Sequence, residues 1–169
     1  TTTTTQTSGN QNDKKDDASN PFLLKYCEKR VADNNKKKED ERNQADVLYE
    51  KKQYGDAFKH YMSAAELNDI YSQYKVGFMY YNGEGVAKDL GKASEWFLKA
   101  AKQGNLDAQY SVGVMYHEGK GLAQDYQEAL KWLNKAADSG SADAQYNLGF
   151  MYSQGQGVTA DYDIAFKWF

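Results

Sequence analysis

The sequence predicts an all-α fold of antiparallel helix pairs, each pair leaning on the next as a solenoid. Three observations predict it. Trp96, Trp132 and Trp168 recur at a step of 36 residues, and the same step carries Gly77 to Gly113 to Gly149 and Tyr80 to Tyr116 to Tyr152. Within each unit the apolar residues fall at i, i+3, i+4 and i+7, one face of a helix. Each unit is also punctuated midway by a Gly-x-Gly loop and an aspartate, the residue types that end one helix and start another.

The bulk composition narrows the function classes. The chain has 169 residues, and its 21 basic and 24 acidic residues leave a net charge of −3. That is no footprint for nucleic acid, which calls for a basic stripe. No run of about 20 apolar residues offers to span a bilayer. Cys27 is the single cysteine; it cannot build an internal disulfide framework and fits a reducing compartment, so a cytoplasmic setting is expected. Residues 1–10 lack the positive start and apolar middle of a secretory signal. They also lack an initiator Met, which leaves an upstream signal open.

In chain order, residues 1–20 are Thr, Asn, Gln, Asp, Lys and Ser with no large apolar side chain. Such a segment cannot bury enough surface to offset its ordering entropy and is expected to be disordered. Asn20-Pro21 reads as a helix start, with Asn as N-cap and Pro at the first helical position. Leu23, Leu24, Cys27 and Val31 follow at helical spacing, which predicts a short helix over 21–32 within a segment 21–38. The charged stretch 34–41 either breaks that helix or extends it into solvent. Residues 39–68 predict a helix pair: Ala45, Leu48 and Tyr49 on one face, then Tyr54, Ala57, Phe58, Tyr61, Ala64 and Ala65 on a second, with the turn at 53–56. Its string LYEKKQYGDAFKHYMSAA resembles a tetratricopeptide repeat.

Three units follow at 69–104, 105–140 and 141–169. Asp69, Asn105 and Ser141 fall at one position and suit the N-cap of each first helix. Asp89, Asp125 and Asp161 suit the N-cap of each second helix, and Asp125 with Glu128 has the spacing of a capping box. Gly104 and Gly140 end the second helices where a left-handed residue is wanted, with Asn68 in the equivalent earlier place. Tyr74, Val76, Met79 and Tyr80 with their counterparts predict the inward face of the first helix. Ala93, Trp96, Phe97 and Ala100 predict that of the second. A mid-helix glycine costs about 1 kcal/mol relative to alanine, so Gly77, Gly113 and Gly149 predict close approach of the partner helix.

The strings ADAQYNLGFMYSQGQGVTADYDIAFKW from Ala142 and LDAQYSVGVMYHEGKGLAQDYQEALKWLNKAADSG from Leu106 resemble the Sel-1-like repeat, a relative of the tetratricopeptide repeat. The departures are Ser72 for the usual Ala, and Val76 and Val112 for Leu. The resemblance implies a right-handed α/α superhelix that works as a scaffold or adaptor. It also implies that the first helices line a concave surface. A secreted, cysteine-rich branch of the family resembles β-lactamases or penicillin-binding proteins in activity and carries a cysteine pair in each repeat. Residues 69–169 contain no cysteine, so no catalytic residue and no cofactor is expected. His60 stands where the repeats have Trp and is expected to be a half-buried packing residue. His117 falls at a variable position and is expected to be exposed. Two unrelated histidines and a distant thiol make no metal site. The Gly-x-Gly loops follow helices, whereas dinucleotide and phosphate loops follow strands, so they read as turns.

Candidate partner-binding positions lie on the first helices, away from the core. Tyr71, Lys75, Phe78 and Asn82 stand at i, i+4, i+7 and i+11; their counterparts are Asp107, Ser111, Val114 and Glu118, then Asp143, Asn147, Phe150 and Gln154. Phe78, Val114 and Phe150 would form an apolar ladder with polar flanks. It either receives a peptide or partner helix or packs between neighbouring first helices. The expected molecule is thus a monomeric, non-catalytic scaffold for protein partners. The alternatives are a regulatory arm of a larger enzyme, such as a signalling kinase or a cell-wall synthase activator, and a membrane-protein quality-control adaptor. Trp168 and Phe169 do not make the polar cap that a solenoid end needs, so further repeats are expected to follow.

Overall fold

The computed structural model describes residues 20–169. The disorder expected of residues 1–20 falls, apart from Asn20, outside the described residues. Eight α-helices run in order, with no strand among the described residues: α1 (Pro21–Glu50), α2 (Tyr54–Glu66), α3 (Ile70–Asn82), α4 (Leu90–Lys102), α5 (Leu106–Glu118), α6 (Tyr126–Asp138), α7 (Ala142–Gln154) and α8 (Tyr162–Trp168). The architecture is an all-α solenoid of helix pairs. Contacts divide the chain after Asp33.

In the first unit the start of α1 is as expected. Asn20 Oδ1 accepts from the Phe22 N–H at 3.0 Å, and Pro21 needs no donor partner. The helix does not stop near residue 32, however. It runs unbroken to Glu50, so 34–41 is a helical extension and not a linker. Lys36, Lys37, Lys38, Glu39 and Glu41 are straight-chain residues that lose little rotamer freedom in a helix. The apolar stripe at its start buries nothing: Leu23, Leu24 and Val31 are 55%, 49% and 59% exposed.

The second unit, residues 34–169, holds the core. Ala45 is the buried anchor of α1, facing Ala57 and Tyr61 of α2 and Val76 and Met79 of α3. Phe97, Val112, Met115 and Trp132 form the next cluster, then Leu133, Leu148 and Met151 the last. Each cluster draws on at least three successive helices, so no pair buries its own face alone. Of the expected inward residues, Val76, Met79, Val112, Met115, Leu148 and Met151 are buried. Tyr74 and Tyr110 are half-buried, but Tyr146 is 64% exposed. Tyr74 and Tyr110 pack partly against a following repeat, and within residues 20–169 Tyr146 has none to cover it.

All six expected N-caps form. Asp69, Asn105 and Ser141 accept from Ser72, Ala108 and Ala144 N–H; Asp89, Asp125 and Asp161 accept from Lys92, Glu128 and Ile164 N–H. The reciprocal half of the capping box is not made. The Asp125 N–H donates to the Tyr116 carbonyl at 2.9 Å, and Glu128 pairs instead with Lys131 at 2.8 Å. The same loop-closing bond recurs from Asp89 to Tyr80 and from Asp161 to Tyr152. Asn68 adopts φ 63°, the left-handed turn that Gly104 and Gly140 supply later.

Candidate functional site

The first-helix face is assembled from α1, α3, α5 and α7. The loop after α1 is four residues shorter than those after α3 and α5, which places Ala45 in register with Gly77 and Asp46 with Phe78. Two recurrent devices hold these helices in place, and periodicity alone did not point to either. Gln73 and Gln109 are buried, and each Nε2 donates to a carbonyl at the end of the preceding second helix, Ala65 and Ala101, at 3.3 Å. Each carbonyl also takes the turn N–H of Asn68 or Gly104, at 3.0 and 3.1 Å, and the glutamine adds a second bond that ties one repeat to the next. The signal was present as a glutamine repeated at 73, 109 and 145, but a polar residue carries no weight in an apolar pattern.

The second device is a loop glycine. Gly121 has φ +75°, and a Cβ there would lie 2.2 Å from the Leu90 carbonyl oxygen. The loop backbone of one repeat therefore sits directly on the start of the second helix of the repeat before. Gly85 and Gly157 occupy the same position against Tyr54 and Tyr126.

Of the twelve sequence-predicted positions, Asp107 and Asp143 are exposed, and the other ten fall as follows. Tyr71 is 39% exposed, and its ring lies 6.3 Å from that of Tyr61. The Lys75 ammonium lies over the Tyr49 ring at 4.6 Å, with Tyr71 and Phe78 further out. Phe78 is half-buried against the core cluster of α4 and α5. Val114 and Ser111 are half-buried, and the Ser111 hydroxyl donates to the Asp107 carbonyl at 2.7 Å. Asn147 Nδ2 bridges to the Tyr110 hydroxyl at 3.3 Å, joining α5 to α7. Phe150 is 42% exposed. Asn82, Glu118 and Gln154 are exposed at the helix ends, with Glu118 paired to Lys120 at 2.9 Å.

A polar cluster on this face drew no notice from the repeat pattern. Asp46, Tyr49, Glu50, Tyr61, Tyr71 and Lys75 surround a cavity of about 260 Å³. The Tyr61 hydroxyl donates to Asp46 Oδ1 at 2.5 Å, and Tyr49 donates to Glu84 at 2.6 Å. Burial, and then the carboxylate each one faces, pushes both phenols well above the ordinary tyrosine range. Tyr71 and Tyr74 are raised too, chiefly by burial, with Asp46 and Asp107 adding to it.

The histidines serve local packing. His60 Nδ1 meets Glu41 Oε2 at 2.6 Å and is half-buried. His117 is half-buried, not exposed: its ring lies 5.5 Å from that of Tyr126, and Nε2 meets Gln156 Oε1 at 2.7 Å. Among the described residues no group of three or more His, Cys, Asp or Glu could hold a metal ion. None of their helices is long and apolar enough to cross a membrane.

A family model described as the Sel1 repeat matches residues 48–69, 70–105, 106–141 and 142–169. The chain belongs to the Sel1 repeat family. The match from residue 48 takes in the last three residues of α1 and all of α2, the string that resembled a tetratricopeptide repeat. Among solved structures, a Sel1 repeat protein from Oxalobacter formigenes is 34% identical with a TM-score of 0.70, over 75% of this chain and 52% of that one. The protective antigen c5321 of uropathogenic Escherichia coli, described as displaying an SLR fold, is 35% identical with a TM-score of 0.73, over 82% and 32%. Helicobacter pylori cysteine-rich protein B is 34% identical with a TM-score of 0.50, over 52% and 66%. This Sel1 chain thus spans about half the length of the first relative and about a third of the second. No curated protein matches it significantly. Sel1 repeats typically serve as protein–protein interaction modules.

Proposed function

We propose that this chain is a non-catalytic scaffold that holds a protein partner along the first-helix face. The observation that carries the reading is the graded exposure of the ladder. Phe78 and Val114 are half-buried, whereas Phe150 stands 42% exposed on the same row. The Lys75, Ser111 and Asn147 row flanks it with polar groups. Apolar side chains beside hydrogen-bonding groups supply both affinity and register to a bound peptide or helix. The expected setting is cytoplasmic, resting on the lone thiol.

The test is affinity capture with wild type and the double variant Phe78→Ser, Phe150→Ser, each checked for helicity by circular dichroism. Loss of the captured partner with helicity retained supports the groove. Undiminished capture, or a collapse of helicity, returns the ladder to a packing role.

A further inference from the structure

We infer that the partner segment received by this face is basic, bearing lysine or arginine beside its apolar anchors. The inference rests on the scaffold reading and names the chemistry of its occupant. It starts from the distribution of charge. The chain as a whole is nearly balanced, with 21 basic and 24 acidic residues. The first-helix face is not. In register along it stand Glu39, Asp46, Glu50, Asp107, Glu118 and Asp143, against the cation Lys75, with Arg42 next to Tyr71. Lys75 already lies on the Tyr49 ring, and Glu118 meets Lys120. Asp107 and Asp143 are exposed, one repeat apart, on the row beside the ladder.

The cavity between α1, α2 and α3 gives this surplus a shape. Asp46 and Glu50 bring two carboxylates against one cation, Lys75, and Tyr49, Tyr61 and Tyr71 bring rings. Carboxylates accept charge-assisted hydrogen bonds from guanidinium or ammonium groups, and tyrosine faces attract the same cations. About 260 Å³ admits one such side chain. The row from Phe78 to Phe150 then takes the apolar residues of the segment, and Asp107 and Asp143 meet further cations. A like-charged acidic segment is repelled by the same groups, which makes the selection one of sign as well as fit.

The probe is a displayed library of random 16-residue peptides selected on the full chain. Enriched peptides are expected to carry net positive charge. Their affinity is expected to fall about tenfold between low and physiological salt and about tenfold in the Asp107→Asn, Asp143→Asn variant, with Asp107→Lys, Asp143→Lys losing more. Enrichment of neutral or acidic peptides, no enrichment, or indifference to both variant pairs overturns the inference. Phe78→Ser, Phe150→Ser separates the two claims. If it abolishes capture of acidic peptides, the groove stands and its charge preference falls; if it spares capture of every peptide, the groove itself falls. Concentration-dependent self-association lost in the Asp107→Lys, Asp143→Lys variant makes the occupant a second copy and overturns a foreign partner.

Discussion

The same substitution, glycine to alanine, is expected to act in opposite directions at two positions. At Gly113 a Cβ would lie 2.7 Å from Leu133 Cγ and 3.2 Å from its backbone nitrogen. The gain in helix propensity is about 1 kcal/mol; forcing a methyl into such contact costs about 1–3 kcal/mol. Gly113→Ala should therefore lower the melting temperature. At Gly55 a Cβ meets nothing within 4 Å, so Gly55→Ala in the first turn of α2 should leave it unchanged or raise it. An opposite order of the two melts would remove the close-contact account. Tyr61 makes a second residue-scale prediction. Its phenol is raised by burial and by Asp46, while an unfolded tyrosine ionises near about pH 10. Below that pH both states are protonated and the contribution is complete. Above it the unfolded chain ionises first, so stability falls as pH rises. Thermal melts above about pH 10 should show this decline, and Tyr61→Phe should lessen it by the share of Tyr61, with Tyr49, Tyr71 and Tyr74 keeping the rest.

Each helix here has 13 residues in most of the repeats, a length marginal in isolation. Caps and inter-repeat bonds therefore matter at this scale. Asp125 accepts from both Gln127 and Glu128 N–H at 2.9 and 3.1 Å, and Asp125→Ala should cost about 1 kcal/mol, read by urea denaturation. Gln109→Ala removes the bond from α5 to the Ala101 carbonyl at the buried junction of α4 and α5, leaving that oxygen the Gly104 N–H alone. Its expected cost, about 1–2 kcal/mol, exceeds that of an exposed glutamine such as Gln44, which serves as the control. Equal effects would mean that the bond contributes nothing between repeats. The helices themselves were legible because caps, stop signals and apolar spacing are local. The length of α1 was not, since a charged run is equally at home in a solvated helix and in a linker, and only the unbroken backbone from Pro21 to Glu50 decides.

For the whole molecule, stability is a sum over neighbouring repeats, as in other solenoids. Gly121 sits at one such junction, where a side chain would strike the Leu90 backbone. Gly121→Ala should uncouple the repeats on either side, broadening the denaturation transition and lowering its slope. Trp132 is 5% exposed in a cluster shared by three helices. Trp132→Ala should cost roughly 3–5 kcal/mol while leaving the transition sharp, because it weakens a core without parting two units.

By itself the sequence determined that this chain is a stack of helix pairs in the Sel1 mould, where the helices of the 36-residue repeats are capped, and most of the side chains that turn inward. Those facts repeat every 36 residues and depend on near neighbours. The tertiary structure decided what lies across the junctions. It placed Gln109 on the Ala101 carbonyl, Gly121 on Leu90, and Asp46 beside Tyr61 and Tyr71. Those partners stand on different helices, and polar groups meeting across a stack leave no period for a sequence to show.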